Sequence, residues 1–341
     1  MSDPLLLEVT RGRYVESRHA AAIAVYDAKG RARVAIGDVE RPIFPRSAIK
    51  SIQQLPLVES GAADRYSFGN AELALACSSH SGEPRHVATA RKMLAAAGRG
   101  EADLACGGHP PANHAAADAL VRAGEHWSRI HDNCSGKHSG FICLACGMDL
   151  DPRGYETPAH PAQREIADAL ADVTGAALGE PAVDGCSVPA YAIPLRNLAQ
   201  AFAKTTTGEG LTHARAAAAR RLIDAVTAEP FMVAGTGRFD TEVLIAFGKR
   251  VFVKGGAEGV ICAALPELGL GIAIKADDGA GRATEPLLST VIAALLPMSD
   301  RESAALRPKV AINDRNGARV GEIRTAAELG DMLAAGSGVA S

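Results

Sequence analysis

Aromatic side chains are scarce: eight Phe, five Tyr and one Trp, 4% of 341 residues. So few rings exclude the stacking platforms on which single-stranded nucleic acids are held. Charge of one sign does not accumulate either. Thirty-six basic side chains stand against thirty-nine acidic ones, for a formal net charge of −3, and neither sign forms a long run. A nucleic-acid protein would show a basic face, so nucleic acid is not an expected partner. No stretch reaches the roughly 18 apolar residues that cross a bilayer, and no membrane partner is expected. Met1-Ser2-Asp3-Pro4-Leu5-Leu6-Leu7-Glu8 has no basic n-region, and its apolar run is too short for a signal peptide. The seven cysteines, Cys77, Cys106, Cys134, Cys143, Cys146, Cys186 and Cys262, are odd in number and scattered. They read as reduced thiols rather than a disulfide framework, and the expected location is cytoplasmic.

What is present is the composition of a globular enzyme, 47% hydrophobic and 22% charged. Ala21 to Tyr26 and Arg33 to Gly37, around Asp27-Ala28-Lys29-Gly30, read as a hairpin. Pro42 and Pro45 precede a helical pattern at Ile49, Ile52, Leu55 and Leu57, which Pro56 should end or kink. Ala71 to Cys77, Pro84 to Gly98, Ala115 to Gly124, Pro161 to Val173 and Ala214 to Ala228 read as helices. Ser78 to Gly82, Gly107 to Asn113 and Cys134 to Gly140 read as loops. After Phe239 the period changes. Glu242 to Phe247, Val251 to Lys254, Gly259 to Ala264 and Gly269 to Ile274 are short apolar runs between glycines, which predicts consecutive antiparallel strands. Thr284 to Leu296 is a helix, and residues 299 to 341 form a polar tail with a hairpin at Asn316-Gly317. The predicted class is α+β over one domain, residues 1–341. Its antiparallel sheet comes from both chain ends, about 5–40 and 240–325, and its middle, 46–235, is mainly helical.

Four constellations could carry chemistry. Ser47-x-x-Lys50 on a helix places hydroxyl and amine on one face. A serine is a weak nucleophile unless a base stands beside it, and a lysine serves when burial keeps its amine neutral. The same Ser-x-x-Lys opens the helix of penicillin-binding proteins and class A β-lactamases. Cys77-Ser78-Ser79-His80-Ser81-Gly82-Glu83 is a hydroxyl-rich loop. It reads either as a cap for the helix at Pro84 or as a second serine in a polar pocket. Asp132 to His138 and Asp184 to Pro189 each carry a cysteine beside glycine and serine. Cys134 and Cys186 are candidate zinc thiolates, although spacing alone favours two buried thiols, and Cys143-x-x-Cys146 lies in an apolar run that reads as a packed helix. Gly235 to Thr241 and Lys254-Gly255-Gly256 bring a lysine at a strand end, near glycines that let a substrate backbone approach.

Taken together, the blocks at Ser47-x-x-Lys50, Ala76 to Glu83, Asn133 to His138, Asp184 to Pro189, Gly237 to Thr241 and Lys254 to Gly259 resemble the asparaginase II family, the rhizobial-type class 3 L-asparaginases. The resemblance is collinear from about residue 5 to 325. It implies a serine β-lactamase/glutaminase-like fold, a homodimer, and hydrolysis of L-asparagine to L-aspartate and ammonia. It implies two Ser–Lys tandems, Ser47 with Lys50 and Ser79 with Lys254, and a zinc site of Cys134, Lys137 and Cys186. On this reading Ser47, deprotonated by Lys50, attacks the side-chain amide, although the paired arrangement permits the reverse. Arg46, His138, Asp184 and Arg238 are candidates for holding the substrate's α-carboxylate and α-amino groups. The rival readings are a glutaminase, a β-lactam or peptide amidase, and a penicillin-binding-like sensor that is acylated once.

Overall fold

The computed structural model describes residues 3–306 and 310–336; residues 307–309 and 337–341 of the polar tail, like residues 1 and 2, lie outside the described residues. Its frame is an eight-stranded antiparallel sheet: β1 (Leu5–Arg11), β2 (Tyr14–Asp27), β3 (Ala32–Ile36), β4 (Phe252–Gly255), β5 (Val260–Leu265), β6 (Leu270–Ala276), β7 (Ala311–Asn313) and β8 (Arg319–Thr325). The path runs β7-β8-β1-β2-β6-β5-β4, and β3 also pairs with β2. The sheet is therefore assembled from both ends of the chain, as the alternating and apolar runs indicate. The fourteen residues of β2 join the halves. Its first half pairs with β1, and its second half lies between β3 and β6. Burial follows: the first half alternates exposed and half-buried residues, whereas Ala21 to Tyr26 is buried on both faces.

Between the sheet halves lies the helical region. The helices that matter for the site are α1 (Lys50–Gln53), α2 (Asn70–Ala76), α3 (Pro84–Ala96), α4 (Ser135–Gly147), α5 (Leu195–Thr207), α6 (Phe239–Phe247) and α7 (Gly281–Leu295). Pro56 acts as its chemistry requires. α1 stops at Gln53, and a new helix, Leu55–Glu59, starts with Pro56 in its first turn. α5, to which the sequence reading gave no element, packs across β2, β5 and β6. It comes so close to β6 that a Cβ at Gly271 would lie 1.9 Å from the Ala199 carbonyl oxygen. α7 also packs on β5, β6 and β8, and β6 is buried from Leu270 through Ile274.

Two local readings are corrected. Glu242 to Phe247, read as a strand, is part of α6. Its continuous apolar run fits either period, but Val243, Leu244 and Phe247 are buried at helical spacing while Ile245 is 48% exposed. Cys134 to Gly140, read as a loop, is the start of α4. Gly136 is there for close approach rather than for a turn: a Cβ at this position would lie 2.3 Å from the Leu75 carbonyl oxygen of α2. Among the described residues no helix is long and apolar enough to cross a membrane.

Candidate active site

Pro45 turns the chain into a short 3-10 helix, Arg46–Ile49, that runs directly into α1. Arg46 has φ 52°, a left-handed conformation that costs a non-glycine residue about 1–3 kcal/mol and gathers at functional sites. Its guanidinium Nε donates to Asp184 Oδ1 at 2.8 Å. Ser47 follows it, half-buried, in the wall of a cavity of about 340 Å³ that Ser79, Asn133, Arg238, Asp240 and Lys254 also line.

Lys50 is fully buried. In a 3-10 turn residues three apart eclipse, yet the long stem carries Nζ past Ser47. It donates to the Ser78 carbonyl at 2.6 Å, to Ser79 Oγ at 3.0 Å and to Cys134 Sγ at 3.1 Å. Ser79 sits in the loop between α2 and α3, its backbone N–H fixed on the Val233 carbonyl at 2.9 Å. From the other side β4 brings Lys254, whose Nζ donates to Ser79 Oγ at 3.0 Å and to the Gly255 carbonyl at 2.8 Å. Both lysines therefore converge on one hydroxyl. Burial pushes the Lys254 amine down to about 8. Asp240, whose Oδ2 lies 3.7 Å away, opposes that fall, and the cations of Lys50 and Arg238 reinforce it.

Behind this pair lies the thiol cluster. Cys134 caps α4, and its backbone N–H donates to Asp132 Oδ1 at 2.7 Å. Lys137, one turn on and fully buried, donates to Cys186 Sγ at 3.0 Å. The hydrogen bond from Cys186 holds the Cys134 thiol well below its usual range despite burial, and the charges of Lys50 and Lys137 add to the effect. The same contact with Cys134, together with burial, raises the Cys186 thiol above its usual range. Burial alone would lower Lys137, but the two sulfurs raise it. The contrast is with Cys77 and Cys106, which burial pushes up to about 12. Among the described residues no group of three His, Cys, Asp or Glu side chains converges; this cluster is two sulfurs and an amine.

The remaining sequence candidates divide. Arg238 lines the cavity rim, exposed, and its guanidinium makes no hydrogen bond or ion pair with the described residues. Asp184 pairs with Arg46 next to Cys186. Burial would raise its carboxyl, but Lys137 and Arg46 bring it below its ordinary value. His138 is fully buried away from the cavity lining, with Nδ1 2.5 Å from the Tyr155 hydroxyl and Nε2 without a partner among the described residues. The sequence reading missed Asp240, which accepts the Gly255 N–H at 2.9 Å and so anchors the strand end that carries Lys254. It also gave His80 no role. His80 accepts the Gly82 N–H at Nδ1, which leaves Nε2 to donate to Ser135 Oγ at 2.9 Å. With burial lowering its pKa, it is a neutral brace between the Ser79 loop and α4. Both residues lie inside blocks singled out in the sequence, but spacing gives no hint of partners so far along the chain.

The sequence profile of L-asparaginase II, an amidohydrolase family, matches residues 7–325. The chain belongs to the L-asparaginase II family. No curated protein matches it. Among solved structures, the chain is similar to Mglu, at 18% identity over 77% of this chain and 64% of that one, with TM-score 0.34. It is similar to Mglu in its tris and glutamate form, at 18% identity over 77% and 56%, with TM-score 0.34. It is also similar to a beta-lactamase, Mb2281c, from Mycobacterium bovis, at 16% identity over 76% and 88%, with TM-score 0.35. The chain spans less than two thirds of the length of these Mglu chains.

Proposed function

We propose that this enzyme hydrolyses L-asparagine to L-aspartate and ammonia through a seryl ester on Ser47. The observation that carries the proposal is the hydroxyl of Ser79 held at 3.0 Å by two buried lysines in a cavity that Ser47 also lines. A hydroxyl has two lone pairs and one proton. With Lys50 donating to one lone pair and the Lys254 amine, when neutral, accepting its proton, Ser79 keeps a second lone pair for the proton of Ser47, which suits it to relay a proton rather than to attack. Ser47 Oγ has no hydrogen-bond partner among the described residues, so its lone pairs are available to the amide carbon. As the C–O bond forms, the Ser47 proton leaves through Ser79 to a neutral lysine amine, and Lys254, lowered to about 8, supplies one near neutral pH. The tetrahedral adduct collapses with cleavage of the C–N bond. The leaving nitrogen takes a proton back along the same relay and departs as ammonia. Water then adds to the ester, aspartate is released, and the Ser47 proton is restored.

In this reading Arg238, the unpaired cation at the rim, takes the substrate's α-carboxylate. Cys134, Lys137 and Cys186 would hold a zinc ion. The fit rests on their chemistry: two sulfurs and an amine, all buried, with Lys137 on Cys186 and Cys186 beside Cys134, are donors zinc accepts. When bound, zinc would supply a fixed positive charge behind the serines. The family's homodimer belongs to the same proposal, and sedimentation should then give roughly twice the 35.2 kDa of one chain.

The test is ammonia release from asparagine and from glutamine, set beside the absorbance change of a chromogenic β-lactam. Asparagine is expected to be the preferred substrate, and Ser47→Ala to lose at least about a thousandfold in kcat. If Ser47→Ala turns over normally while Ser79→Ala is dead, the roles of the two serines are reversed. Metal analysis should find about one zinc per chain in the native protein and none in Cys134→Ala or Cys186→Ala.

A further inference from the structure

The loop that carries Arg238 to the cavity is fastened from the Ser79 side. Its base is tied three times: the Ser79 N–H to the Val233 carbonyl at 2.9 Å, the Ser81 hydroxyl to the Ala234 carbonyl at 2.5 Å, and His86 Nε2–H to the Phe231 carbonyl at 3.0 Å. The apex, Thr236 to Arg238, is exposed. Among the described residues, one side chain from outside the loop holds it. Glu83 Oε1 accepts the Thr236 N–H at 2.8 Å, and Oε2 accepts the Thr236 hydroxyl at 2.7 Å. The neck is tight as well. Gly235 has φ +112°, a conformation closed to other L residues, and a Cβ there would lie 2.4 Å from Glu83 Oε1 and 2.6 Å from Ser81 Oγ. With no side-chain partner of its own, Arg238 is aimed by this backbone alone.

We infer that Glu83 is a positioning residue for substrate selection: by gripping Thr236 at both its N–H and its hydroxyl, it fixes Arg238 so that the enzyme favours amides with a free α-carboxylate. This rests on the reading of Arg238 given above. Glu83 does not touch the cavity, so the chemistry at Ser47 and Ser79 does not depend on it. The carboxylate is the stronger acceptor, but glutamine keeps an oxygen for the Thr236 N–H and a donor for its hydroxyl oxygen.

The experiment compares asparagine with 3-aminopropanamide, the same amide without the α-carboxylate, by KM and kcat. Where the second is not turned over, its competitive inhibition constant against asparagine replaces KM. In Glu83→Ala, KM for asparagine should rise about tenfold, the loss of roughly one charged hydrogen bond's worth of aim, with kcat within about twofold. The constant for 3-aminopropanamide should not move. Glu83→Gln should restore most of the loss, and Thr236→Val, which keeps the N–H contact, should show about a threefold rise. Equal losses for both substrates, or no loss for either, would overturn the inference. Arg238→Ala separates the two levels. If it penalises asparagine selectively while Glu83→Ala and Thr236→Val do not, positioning by Glu83 is wrong. If it shows no selectivity, the assignment of the carboxylate to Arg238 fails, and this inference fails with it.

Discussion

Lys254 is the residue on which the proposed chemistry turns, and its titration sets a measurable limit. The amine is protonated below about 8 and neutral above it. A relay that needs the neutral amine therefore predicts kcat/KM rising with pH and levelling off above about 8, with about a tenfold fall per unit below that point. Burial lowers this value most, and four neighbouring groups adjust it: Asp240 raises it, Lys50 and Arg238 lower it, and Cys134 raises it. Asp240→Asn keeps an acceptor for the Gly255 N–H but removes a negative charge 3.7 Å from Nζ. The midpoint of its pH–rate profile should move to lower pH. A shift to higher pH, or none, would show that another group governs the profile.

At the scale of elements, the site exists because α4 meets the end of α2 at bare backbone. Gly136→Ala would press a methyl group into the Leu75 carbonyl. Leu75 lies four residues before Ser79 and Gly136 two after Cys134, so the strain falls between the serine and the thiols. The variant should lose about 2–3 kcal/mol in denaturant unfolding. Gly271→Ala, aimed at the backbone of α5, should cost about 3 kcal/mol or more. These contacts also mark where sequence reading stops. The strands β4, β5 and β6 were legible as short apolar runs between glycines, although the same signal misplaced Glu242 to Phe247, which is helical, and the hairpin of β2 and β3 was legible from its turn. The start of α4 was not, since Ser-Gly-Lys-His-Ser-Gly has the local chemistry of a loop and becomes helical only through tertiary packing. The site residues were visible as types in collinear blocks. Their pairing was not. Nothing in the spacing of Ser47 and Lys50 shows that the lysine reaches Ser79 and Cys134, residues contributed by other elements.

At the scale of the whole molecule, the two chain ends share one sheet. β8 pairs with β1 through Leu7 and Thr325, Glu8 and Arg324, and Val9 and Ile323, and Leu329 and Leu333 beyond it are buried. A chain ended after residue 306 would leave Leu6, Leu7 and Val9 beside an open edge. It should give little soluble protein and no sharp thermal transition by circular dichroism. The order of the strands has a further consequence for how such a chain is made. The apolar half of β2 leaves the ribosome early, whereas its neighbour β6, which joins it from Leu270 opposite Asp27 to Ala276 opposite Ala21, follows more than two hundred residues later. At ordinary translation speeds that gap lasts roughly ten seconds to a minute. For that time a sticky ribbon waits for its mate, shielded only by β3 and whatever chaperone the nascent polypeptide recruits.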